Sequence, residues 1–126
     1  PYLKHADASP RIKLRNWWDF PKVNALRQQL YGEWEGLHGT PSEVAITQYA
    51  VRTVKRENAD PPRALSKDEI RETAGDYHGP ASEHRKNFSD GRVGSFSELA
   101  EHEHGRQFVT AAANALIEEF RAFVTT

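Results

Sequence analysis

Cysteine is missing from the 126 residues altogether. That excludes disulfides, thiolate metal sites and a cysteine nucleophile, and it fits a cytoplasmic protein. Methionine is missing too, and the sequence opens on Pro1. A translated product starts with Met, so the expectation is a processed, truncated or incomplete N-terminus. No sign of charge dominates: Lys+Arg 17 against Asp+Glu 18 leaves a formal net charge of −1. These charges are interspersed, so no global field draws the chain to nucleic acid or to an anionic membrane. No apolar run approaches the roughly 20 residues of a membrane helix, and no signal-peptide pattern occurs. The Gly-x-Ser-x-Gly, Walker and Gly-x-Gly-x-x-Gly motifs are absent as well. Hydrophobic residues make up 37% and the mean hydropathy is −0.78. That is polar for one self-sufficient domain, and it implies either much loop or burial against something else.

The elements that are present alternate in type. Arg11 to Trp17 alternates charged or polar with apolar residues, which predicts a short strand with Ile12 and Leu14 on one face. Asp19-Phe20-Pro21 reads as a helix start, with Val23, Leu26, Leu30 and Tyr31 at helical spacing and Gly32 as the stop. Trp17 and Trp18 precede that helix, as an apolar anchor or as a ligand-pocket wall. A second helix is expected from Pro41 to about Ala50, with Val51 to Val54 either prolonging it or starting a strand. Pro61-Pro62 forbids regular structure nearby. Short helical stretches are expected at Lys67 to Ala74, behind a capping box at Ser66, and around His84 to Phe88. Asp90-Gly91 is a turn signal. The longest helix is expected from Glu98 to Thr125, with Phe108, Ala112, Leu116, Phe120 and Val124 in one stripe. Alternating elements argue for an α/β fold.

Chemistry concentrates between Trp34 and Glu43. Thr40-Pro41-Ser42-Glu43 is a capping box with Pro at the first helical position. Gly36 and Gly39 flank Leu37-His38 and let the backbone turn sharply before the helix. His38 can then approach Glu43, and a carboxylate beside an imidazole suits general acid–base work. The alternative is a Glu that only completes its cap and a His exposed in a loop. His102-Glu103-His104 lacks the spacing that puts two imidazoles on one helical face, which makes it a solvated helix start rather than a metal site. Asp76, His78 and His84 show no ligand spacing. Lys13, Arg15, Trp17 and Trp18 form a weak basic–aromatic cluster of the kind that stacks a base.

Trp34-Glu35-x-x-His38-x-x-x-x-Glu43, leading into a helix, resembles a segment of the creatininase (creatinine amidohydrolase) family. Phe88-Ser-Asp-Gly-Arg-Val-Gly-Ser, then Leu99-Ala100 and Glu103-His104-Gly105-Arg106, is similar to that family's later Gly-rich turn and final helix. The resemblance covers the second half of a family member. It implies that residues 1–126 are the C-terminal part of a single creatininase-like domain with a three-layer α/β/α sandwich, assembled as a homo-oligomer in the cytoplasm. It implies a hydrolase that uses two divalent ions, zinc or manganese, to cut a C–N bond in a cyclic amide or related small molecule. The metal ligands would lie mainly outside this chain. By motif position, His38 corresponds to the proton-shuttling catalytic residue and Glu43 to the helix-start acid beside it. Trp34 and Glu35 correspond to substrate-binding residues, with Glu35 in place of the usual Asp. The partner implied is a small molecule, with neither nucleic acid nor membrane. A non-catalytic oligomeric module of the same fold is the alternative.

Overall fold

The computed structural model describes residues 11–53, 80–87, 89 and 95–125. The expectations for Pro61-Pro62, Ser66, Lys67 to Ala74, Asp76, His78 and Asp90-Gly91 lie outside the described residues. Four helices organise the rest: α1 (Pro21–Tyr31), α2 (Pro41–Ala50), α3 (Ala81–Asn87) and α4 (His102–Thr125). Short 3₁₀ turns at Trp17–Asp19, Gly32–Trp34 and Ser97–Leu99 supply the corners.

The local signals explain most of these bounds. Phe20, in an extended conformation, is the N-cap of α1 and Pro21 takes the first helical position. Gly32 ends the helix at φ 53, its N–H donating to the Gln28 carbonyl, a conformation that suits glycine. Thr40 caps α2 as its sequence predicts: its Oγ1 accepts from the Glu43 N–H at 3.1 Å, while Glu43 Oε2 accepts from the Thr40 N–H at 3.0 Å. Val51 neither prolongs α2 nor starts a strand but caps it, its N–H bonded to Thr47. The final helix begins at His102 rather than Glu98, because Ala100 is extended and separates a 3₁₀ turn from the helix proper.

The core consists of Phe20, Val23, Tyr31, Ala45, Ala100 and Phe108. Phe108 is fully buried, stacked on Tyr31 with ring centroids 6.1 Å apart and edge-on to Trp17 at 6.2 Å. Burial of such a side chain contributes about 1.5–3 kcal/mol. Helix α2 packs along α4. A Cβ on Gly105 would lie 2.0 Å from the Ala45 carbonyl oxygen, so glycine is what lets the two backbones meet.

Two sequence expectations are overturned. Among the described residues no strand occurs, so the three-layer α/β/α sandwich is not the architecture of this part of the chain. Helix packs directly on helix at Gly105, and the described residues supply no strand from which a middle layer could be built. The Arg11–Trp17 run is irregular up to a 3₁₀ turn, and Ile12 and Leu14 are 87% and 88% exposed. A strand requires a ladder partner, and none stands beside it among the described residues. Its cations face α4 instead: Lys13 and Arg15 pair with Glu119, and Arg11 donates to the Phe123 carbonyl at 2.6 Å. Charged–apolar alternation thus arises here from cations alternating onto one helix rather than from a pleat.

Candidate functional site

The loop from Glu35 to Thr40 is shaped by its own glycines and held by residues 95–97. Gly36 and Gly39 both adopt left-handed conformations, at φ 61 and φ 59, which an L side chain adopts only with strain. Gly36 also faces Ser95 so closely that a Cβ would sit 2.2 Å from its hydroxyl oxygen. From across the chain, Phe96 N–H donates to the Trp34 carbonyl at 2.9 Å and Ser95 Oγ donates to the His38 carbonyl at 2.5 Å. Ser97 Oγ donates to the carbonyl of Gly39. The segment closing the second motif block therefore buttresses the backbone of the first.

This loop forms one side of a cleft of about 180 Å³ lined by Trp17, Trp18, Arg27, Leu37, His38, Thr40 and Glu43. His38 and Glu43 are exposed and share this wall. Glu43 Oε2 serves the Thr40 cap, accepting from the backbone N–H at 3.0 Å and the hydroxyl at 3.3 Å. Both indoles in front of α1 reach the cleft, and Trp17 in addition packs on the core. Trp34 and Glu35 are not among the lining residues. Trp34 is half-buried, edge-on to Phe96 at 5.8 Å.

Glu35 lies behind the cleft, its side chain only 4% exposed. Its Oε1 accepts from Arg27 Nε at 2.7 Å and from the buried Ser42 hydroxyl. Ser42 Oγ also meets Thr40 Oγ1 at 3.0 Å. A continuous polar chain thus runs Arg27–Glu35–Ser42–Thr40–Glu43, from the buried carboxylate to the one on the cleft wall. Glu35 Oε2 is the only buried side-chain oxygen without a partner among the described residues. Removing one partner of such a buried pair typically costs about 3–5 kcal/mol. Asn24 steadies the same corner, donating to the Trp18 carbonyl at 2.6 Å and accepting from Arg27 Nη1 at 2.9 Å.

Sequence reading passed over Arg27 and Ser42. A signal for Arg27 was there: Val23, Arg27 and Tyr31 form one i, i+4 column, and a cation between two core residues needs a buried counter-charge. Ser42 carries no such mark, since the cap of α2 is already accounted for by Thr40 and Glu43.

No group of three or more His, Asp or Glu able to hold a metal ion occurs among the described residues. The orphaned Glu35 Oε2 is a poor ligand, because the Arg27 cation already occupies the other oxygen. His102 and His104 diverge: the first packs edge-on to Tyr49 at 5.4 Å, while His104 Nδ1 bonds the Tyr31 hydroxyl at 2.9 Å. Glu103 pairs with Arg106, which holds its carboxyl below the ordinary range. The basic–aromatic cluster is divided, with Lys13 and Arg15 on Glu119 and the two indoles in the cleft. No protein-family model matches the sequence, and no curated protein matches it significantly.

Proposed function

We propose that the chain supplies the proton-transfer and substrate-facing half of a metal-dependent hydrolase that opens a C–N bond in a cyclic amide or related small molecule. The observation that carries this reading is the meeting of the two motif blocks: the Ser95 hydroxyl bonds the His38 carbonyl across 57 residues, beside the cleft that His38 and Glu43 line. In such a reaction water adds to the carbonyl carbon, the C–N bond breaks and the nitrogen takes a proton. His38 is the residue for that proton, since an imidazole exchanges protons near neutral pH. Glu43 stands on the same wall, its position set by the cap. Two divalent ions, zinc or manganese, would activate the water. The resemblance assigns their ligands mainly to the other half of such a domain, and among the described residues no group able to hold an ion is assembled.

The test is turnover of a cyclic amide by the metal-loaded, intact protein. His38→Ala should lower kcat by about 10²–10⁴-fold, the range of general acid–base catalysis, with the fold preserved. An unchanged rate would remove the role from His38. Absence of any metal-dependent turnover would favour a second reading, a non-catalytic oligomeric module. The apolar side chains left exposed on α4, Leu116 (51%), Phe120 (61%) and Val124 (55%), are the observation in its favour.

A further inference from the structure

The charges that face the cleft are not of one sign. Arg27 contributes a guanidinium whose Nε and Nη1 are spent on Glu35 and Asn24. Among the described residues no acceptor stands at Nη2, and the group is held further by the Trp17 ring, 5.9 Å away. Glu43 contributes a carboxylate. Its Oε2 is spent on Thr40, and among the described residues no donor engages Oε1. Among the described residues His38 is the only other titratable group on the wall, and Glu35 is buried beside Arg27.

This arrangement discriminates by charge. A simple anion gains a donor at Arg27 Nη2, where Glu35 already offsets part of the charge, and is repelled by Glu43, while a simple cation gains at Glu43 and meets the guanidinium. A molecule carrying one charge of each sign gains at both ends. Trp17, Trp18 and Leu37 give it an apolar wall, and about 180 Å³ admits only a small molecule.

We propose that the cleft recognises a small zwitterion, with a carboxylate on Arg27 Nη2, an ammonium on Glu43 Oε1 and a short methylene chain against the indoles. The class follows from the hydrolase reading, on which this inference rests in that one respect. Adding water to a cyclic amide leaves the oxygen on the carbonyl carbon as a carboxylate and the freed nitrogen as an ammonium. Ring opening therefore yields an amino acid of this type.

The probe is 4-aminobutyrate, titrated into the full chain while the indole N–H resonances of Trp17 and Trp18 are followed by NMR. Butyrate and n-butylamine, each with one charge, are the controls. The expected result is saturable shifts with 4-aminobutyrate and at least about tenfold weaker binding of either control. Glu43→Gln keeps an oxygen for the cap and should weaken 4-aminobutyrate to the level of butyrate. Arg27→Lys, which keeps the charge but loses the planar fork, should weaken 4-aminobutyrate and butyrate alike. Equal binding of the three probes, or no shift with 4-aminobutyrate at about 10 mM, ten times a 1 mM Kd, overturns the proposal. If 4-aminobutyrate fails to bind while the intact, metal-loaded protein hydrolyses amides through His38, the zwitterion site falls and the hydrolase reading stands. If it binds and no hydrolysis occurs, the reverse holds.

Discussion

Thr40 meets two demands at once. Its hydroxyl accepts the Glu43 N–H that opens α2, and it contacts Ser42, which in turn reaches the buried Glu35. Thr40→Ala should therefore lower stability by about 1 kcal/mol for the lost cap, and by more where Ser42 is left short of a partner. Denaturant unfolding measures this, and an unchanged midpoint would mean that the cap contributes nothing. The glycines of the same loop show how one residue serves two ends. Gly36 has a left-handed backbone and no room for a Cβ beside Ser95. The first property is visible in the sequence as a Gly-x-x-Gly loop. The second depends on a serine 59 positions away, and no local pattern announces it.

At the scale of elements, α2 and α4 meet through small residues. Ala45 is fully buried, and Gly105 allows the contact. Exchanging glycine for alanine inside a helix ordinarily stabilises by up to about 1 kcal/mol. Here the added carbon would meet backbone atoms of Ala45 at 2.0 and 2.6 Å, and backbone cannot rotate aside. Gly105→Ala should destabilise by about 1–3 kcal/mol, the usual range for overpacking, and so lower the Tm. A raised Tm would show that the seam is looser than this geometry. The stripe on α4 was legible as a period of 3.6, but only its N-terminal part finds a core. Phe108 is buried, whereas Leu116 and Phe120 are half exposed or more. Periodicity identifies the face of a helix that is apolar and says nothing about how far along that face the neighbours extend.

For the molecule as a whole, the segment around Arg11 to Arg15 ties the beginning of the described chain to the end of its last helix. Glu119 is the knot: Lys13 first, then Arg15, hold its carboxyl below the ordinary range. Because the folded value lies under the unfolded one, the tether contributes fully above the usual glutamate value of about 4.3 and is lost as pH falls through the folded value. The pair is at the surface, so the effect on global stability is small. The sensitive readout is local: backbone resonances of residues 11–16 should shift toward those of a free chain on acidification from neutral pH to below that value. Glu119→Gln should show the free-chain positions already at neutral pH. Identical pH profiles in the two proteins would remove Glu119 from this role. No helix among the described residues is long and apolar enough to cross a membrane.

What the sequence determined by itself is everything settled within a few residues. That covers the cap at Thr40, Pro21 and Pro41 at helix starts, the stops at Gly32, and the sharp turns at Gly36 and Gly39, because each is an interaction between near neighbours along the chain. It also brought His38 and Glu43 forward as a pair; both line the cleft, with the Glu43 carboxylate bonded to Thr40. Only the tertiary structure decided the rest. It turned an alternating run from a strand into a tether, since a strand depends on a partner that no short window contains. It sent Glu35 inward to Arg27 and Ser42 and moved Trp17 and Trp18 into the cleft in front of His38. Those outcomes rest on contacts such as Arg15 with Glu119, 104 residues apart. The energy of such contacts depends on burial and geometry, which exist only once the helices have packed.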